Sequence, residues 1–271
     1  MREKNFLEPY TNGSKMRAFS ISVLSFLGFL ILWHLLAVYR ILDIPAPWNT
    51  FRVFVSLIVE GDPVYQRSLI QMALASLRTV VIGAALGFFL AIPLGLLIGW
   101  SRDIKDGLNT LLQLMRPIPP LAWIPLAYIL FAKTGNTTFH VQVFIVFLGA
   151  FFPTLVNTIH GVRSIEPIHF EAAKVVGARP GHILWRVVIP ASLPSIMIGV
   201  RIGLGIGWMC IVAAEFVGGK MGLGFYIWAA YSIGGKGEEI ISGMISIGLI
   251  GYIMDRMLLE LEKRLLPWHF A

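Results

Sequence analysis

Thr79 to Trp100 reads TVVIGAALGFFLAIPLGLLIGW, twenty-two residues without a single charge. A bilayer crossing takes about 20 mostly apolar residues. Only a helix satisfies every backbone polar group inside its own segment at that depth, apart from a closed barrel. The stretch therefore reads as a membrane span. Glycines stand four apart within it, at Gly83/Gly87 and Gly95/Gly99. Such pairs let helix backbones approach closely in lipid.

The rest of the chain has the same character. Of its 271 residues, 56% are hydrophobic and 14% charged; the mean hydropathy is +0.76. A soluble domain averages about 25% charged residues, so this chain lacks the polar side chains to cover a water-facing surface. The formal charge of +7 is not clustered on a soluble face, which argues against a nucleic-acid partner and for a membrane lipid environment. The single cysteine, Cys210, excludes an intramolecular disulfide or a multi-cysteine metal site and reads as a small buried hydrophobe.

Five further spans are expected. Ala18–Tyr39 is charge-free and longer than the core of a cleavable signal peptide; it reads as a retained helix. A third runs from about Leu108 to Ala132, interrupted by Arg116, Pro117, Pro119, Pro120 and Pro125. The others are Phe139–Val162, about Pro190–Val217, and about Glu239–Met254 continuing into a charged helix. Gly199/Gly203 and Gly203/Gly207 repeat the four-residue spacing. The expected fold is all-α integral membrane, with six transmembrane helices and both termini cytoplasmic. That orientation puts 15 Lys and Arg inside, Arg2, Lys4, Lys15, Arg17 and Arg102 among them, against 7 outside, Lys236 included, as the positive-inside rule requires.

A single transmembrane domain, 1–271, is expected. It comprises a cytoplasmic stretch 1–17, an outer amphipathic segment 45–77, a core of about 78–264, and a cytoplasmic loop 163–193. The 45–77 segment reads as amphipathic helices lying on the outer surface and entering the second span.

Four prolines in the nine residues from Pro117 to Pro125 prevent a regular helix. Broken backbone at membrane depth survives when buried in protein or beside water. This element therefore reads as path-lining, or as a kinked helix packed for structure. Arg116 and Arg201 lie near the cytoplasmic span ends. They read as snorkelling cations or as path and gate residues. Glu215 near the outer end of the fifth span reads as a gate residue or an ion-pair partner.

Several chemistries find no residues. No GxxxxGK[ST] cradles a phosphate, no HExxH is present, and the histidines, His269 included, show no ligand spacing. No catalytic set, metal or cofactor is expected. An ion-coupled secondary transporter is the alternative class. It would need mid-membrane carboxylates or an inverted repeat, and neither stands out.

The loop 163–193 carries EAAKVVGARPGHILWRVVIP at 171–190. Pro167 suits a helix start and Gly177 a C-cap. Phe170, Ala173 and Val176/Gly177 recur at helical spacing, and RPGHILWRVVIP reads as a second short helix ending at Pro190. Glu171-Ala172-Ala173, three residues, Gly177, then nine residues to VVIP resembles the EAA loop of ABC importer permeases, with Val187 and Ile189 as conservative departures. RPIPPLAWIPL (116–126), GAFFPTLVNTIHGVRSI (149–165), GVRIGLGIGW (199–208), AAEFVGGKMGLG (213–224) and EKRLLPW (262–268) are similar to permeases of nitrate, sulfonate, taurine and bicarbonate importers.

The resemblance implies a permease subunit in a prokaryotic cell membrane, without catalysis of its own. A second permease chain, simplest as a homodimer, would complete the path. Two separate ATPase subunits would hold ATP and Mg. An extracytoplasmic binding protein would deliver a small solute, such as an oxyanion. Glu171, Ala172, Ala173, Gly177, Arg179 and Pro190 would form the coupling element.

Overall fold

The computed structural model describes residues 12–234 and 237–267, with side chains from Met16 onward except those of Arg102 and Asn109. Arg2, Lys4, Lys236, Trp268 and His269, which entered the readings above, lie outside the described residues. Among the described residues the chain is helical, without a named strand.

The elements are α1 (Asn12–Val38), α2 (Pro47–Val59), α3 (Leu69–Trp100), α4 (Arg102–Met115), a 3₁₀ turn (Pro120–Trp123), α5 (Ile124–Leu130) and α6 (Thr137–Arg163). There follow α7 (Pro167–Val175), α8 (Pro180–Ile183), α9 (Ile189–Gly218), α10 (Leu223–Ile233) and α11 (Gly237–Leu265). Among the described residues four helices are long and apolar enough to cross a membrane: Met16–Val38, Leu69–Trp100, Thr137–Arg163 and Pro180–Gly218.

The third expected span is not one helix. Arg116 caps α4, and the prolines leave only the 3₁₀ turn and the seven-residue α5 beyond it. The sixth falls in α11, which has 29 residues but is charge-free only over 240–254. The expected outer segment is one surface helix, α2. The second half of that segment forms the first turns of α3, started by a capping box at Ser68 and Gln71.

The core is a layer of three helices, α3, α6 and α9, held close by small residues. Gly83, Gly87, Gly95 and Gly99 of α3 all face α6: a Cβ at Gly83 would lie 2.7 Å from the Val143 carbonyl oxygen, and one at Gly95 would lie 2.6 Å from Thr158 Cβ. Ala91 is fully buried in the same row. On the other side of α6, Gly199 and Gly203 of α9 press on Thr154 and Ala150. Thr154 donates to the Gly199 carbonyl at 3.1 Å across that seam. Lipid offers no hydrophobic drive for helix association, so close packing of this kind is what holds the layer together. Cys210 is buried in the same seam, against Gly149.

The helix expected to end at Pro190 instead continues. Residues Leu184–Val188 form a π turn that feeds directly into α9, giving one 39-residue rod from Pro180 to Gly218. A proline inside an α-helix removes a donor and crowds the carbonyl four residues back. A wider turn before it lets the helix pass through.

Candidate functional site

Three constellations bear on function: a surface at one end of the bundle, a cavity beside the layer, and a buried polar knot at the opposite end.

The surface is α7 and its exit. Pro167 occupies the first turn, and the helix runs nine residues to Val175. It stops by a complete Schellman motif. Gly177 adopts φ +74, its N–H reaches the Lys174 carbonyl at 2.9 Å, and the Ala178 N–H reaches the Ala173 carbonyl at 3.0 Å. Phe170, Ala173 and Ala178 pack inward against Val162, Ile183 and Val188. The rings of Phe170 and Trp100 stand 6.0 Å apart. Arg163 fixes the preceding turn by donating to the Ile98 carbonyl at 3.2 Å, near the end of α3.

The outward side carries exposed apolar residues among its charges. Val175 is 87% exposed and Val176 81%. Trp185 is exposed as well, and Glu171, Ala172, Gly177, Arg179 and Pro190 are exposed around them. The apolar face expected at Phe170, Ala173 and Val176 is thus divided, with the first two facing in and the valine facing out. Val175, beside Val176, is the residue that the helical count missed.

The cavity, about 380 Å³, lies between the proline-broken segment, α6 and α9. Arg116 and Pro120 line it; Pro117 and Pro119 do not. Opposite them stand Gly149, Phe152, Pro153 and Asn157 of α6, with Ile202 and Ile206 of α9. Pro153 has no N–H for the Gly149 carbonyl, and Asn157 donates its side-chain amide to the Pro153 carbonyl at 2.8 Å. Asn157 was not foreseen. A lone asparagine one turn after a proline inside an apolar span was the available signal.

Arg201 faces away from this cavity. Its Nε and Nη2 donate to Oδ1 and Oδ2 of Asp255 on α11, at 2.6 and 2.8 Å. That fork is bidentate and joins α9 to α11.

Glu215 is 1% exposed. Its Oε1 accepts from Ser76 Oγ at 2.7 Å, and its Oε2 accepts from the Gly224 N–H at 2.8 Å. Ser76 Oγ in turn accepts from the Leu223 N–H at 3.0 Å. The two groups together cap α10. Gly222, at φ +124, lies so close that any side chain there would strike the Glu215 carboxylate. Nearby, Asp62 is 2% exposed and accepts from Tyr226 Oη at 3.1 Å. No group of three or more His, Cys, Asp or Glu side chains placed to hold a metal occurs among the described residues.

A three-helix apolar layer, a proline-broken segment beside a cavity, and a capped helix beyond the layer are the frame of an integral membrane protein. The chain belongs to the binding-protein-dependent transport system inner membrane component family, whose model matches residues 83–266. Members of this family are the non-catalytic permease subunits of ABC transporters. A Methanocaldococcus jannaschii protein named as an ABC transporter permease is 41% identical over 241 residues, 88% of each chain. The bicarbonate transport system permease protein CmpB of Synechococcus elongatus is 33% identical over 260 residues, 93% of this chain and 91% of that one. The taurine transport system permease protein TauC of Escherichia coli is 34% identical over 195 residues, 72% and 69% of the two chains. Among solved structures, an inward-facing MetNI methionine ABC transporter chain matches with a TM-score of 0.64 at 18% identity, covering 73% of this chain and 95% of that one. At that identity the match speaks for the fold.

Proposed function

We propose that this chain is the membrane path of an ATP-driven importer for a small oxyanion of the nitrate, sulfonate, taurine or bicarbonate kind. Six crossings in all, with α7 and both termini in the cytoplasm, complete the topology, and a second copy closes the path over the cavity at Arg116 and Asn157. The observation that carries the reading is the pair Val175 and Val176, 87% and 81% exposed on a helix whose end is rigidly set. Exposed apolar surface beside a charged anchor marks a partner site, and a short helix inserting into a groove is a recurrent recognition mode.

Two ATPase subunits are the partners of this surface in the dimer, with Glu171 as polar anchor and Gly177 as the turn that presents it. Their nucleotide-dependent closure biases the permease between two states through differential contacts at α7. A binding protein supplies solute at the far face. The names of the bicarbonate and taurine permeases support the anion class. The test is capture of a P-loop ATPase from native membranes by the solubilised chain, and its loss in Glu171→Lys. A well-folded chain that never retains an ATPase sinks the reading.

A further inference from the structure

At the end of the bundle opposite α7, a second cavity of about 340 Å³ opens between α3, the start of α6 and the loop at Lys220. Arg78 and Lys220 line it, and none of the lining residues is acidic. The Arg78 guanidinium carbon sits 5.5 Å from the ring centroid of Phe139, which holds the cation on the wall. Glu215 and Asp62, two buried carboxylates at this end, are engaged by Ser76, Gly224 and Tyr226 and do not line it.

Gln142 also lines the cavity and is 7% exposed. Its side-chain amide makes no hydrogen bond to any described residue and is open to the cavity. Asn136 caps α6 by accepting from the Phe139 N–H at 3.4 Å, which leaves its NH₂ for the cavity. The 27-residue α6 starts here, so its positive dipole end adds to the two cations. Two cations, amide donors and a helix start converge on one small space, and the complement is a compact group with several acceptor oxygens and negative charge.

We propose that this pocket, built on Arg78, Lys220, Gln142 and Asn136, binds a small oxyanion at the mouth of the permease before it reaches the Arg116 cavity. The inference deepens the importer reading and rests on it only for the direction of travel. The pocket's chemistry stands on its own residues.

The test is isothermal titration of the full-length chain, purified in detergent, with sodium nitrate and with sodium sulfate at fixed ionic strength. Saturable binding is expected. It weakens at least about tenfold in Arg78→Gln/Lys220→Gln, the loss of two charge-assisted contacts, and weakens less in Gln142→Leu. Arg78→Lys, which keeps the charge, retains most of it and shows that the pocket still folds. Wild-type binding in the double variant overturns the proposal, as does no saturation up to about 100 mM of either salt. A third result also overturns it: no anion binding by any form, with loss of binding-protein-stimulated ATP hydrolysis in the double variant, assigns the cations to a protein carboxylate. Anion binding without ATPase capture supports the pocket and sinks the importer reading instead.

Discussion

Glu215 and Ser76 stand 139 positions apart and share a hydrogen bond of 2.7 Å. Through it α9 is tied to α3, and both are tied to the start of α10 by the N–H groups of Leu223 and Gly224. A carboxylate against the first turn of a helix satisfies orphan donors and meets the positive end of the dipole. The knot also sets the Gly219–Gly222 loop, which carries Lys220 to the proposed anion pocket. Glu215 thus joins α3, α9 and α10.

Replacement of Glu215 by Leu leaves the Gly224 N–H and Ser76 without their acceptor in a buried site. Each orphaned group costs about 1–3 kcal/mol, so a loss of roughly 3 kcal/mol is expected, with a smaller loss for Ser76→Ala. Thermal unfolding of the purified chain measures both. An unchanged midpoint in Glu215→Leu sinks the account.

Gly177 sits at φ +74 with no atom within 4 Å of where a Cβ would be. Space is therefore not the reason for glycine there; the backbone conformation is. Gly177→Ala should cost the loop about 1 kcal/mol and tilt α7 without unfolding the layer. The expected result is normal membrane insertion with impaired ATPase coupling, read as transport per ATP hydrolysed. Gly177→Asn, which tolerates the left-handed region better, should restore part of it. Equal, wild-type coupling in both variants contradicts the cap as the positioning device.

The layered core was legible because its signal is local. Thr79–Trp100 is apolar throughout, and its glycines recur at the spacing that places them on one face. The EAA pattern likewise marked α7, although helical counting put Val176 on the same face as Phe170. The Schellman turn unwinds the helix at that point and swings the valine outward. The cavity beside the layer was half legible. Prolines advertise broken backbone, so Arg116 and Pro120 were found, but which side Arg201 faces depends on where α11 packs. That partner, Asp255, lies 54 residues away. The Gln142 pocket was invisible because its parts lie on three elements and each looks ordinary alone.

Gly203 and Gly205 lie on α9 two residues apart and give opposite predictions. A Cβ at Gly203 would stand 2.7 Å from the Ala150 carbonyl oxygen and 2.8 Å from Thr154 Oγ1. One at Gly205 meets nothing within 4 Å. Gly203→Ala must push α6 and α9 apart and break the Thr154 bond, a cost of about 1–3 kcal/mol. Gly205→Ala should be neutral or stabilising by up to about 1 kcal/mol, since glycine is a poor helix former. Unfolding midpoints of the two variants, compared with wild type, decide the register of the α6–α9 seam. Equal effects would place the seam elsewhere.

The Arg201–Asp255 fork separates a structural role from a path role. Its side chains are 38% and 44% exposed, so the ion pair is screened and contributes about 1 kcal/mol or less. Its effect is to orient α11 on α9. Asp255→Arg places two guanidinium groups together and should lower both the unfolding midpoint and transport. Arg201→Asp combined with Asp255→Arg restores an opposite-charge pair and should recover most of both. A residue that touched the solute would behave differently. Reversing Arg201 would then abolish anion transport whatever stood at 255, and the double variant would regain stability without regaining flux. Recovery of flux together with the midpoint therefore assigns Arg201 to the packing of α9 on α11, and leaves Arg116 as the cation facing the path cavity.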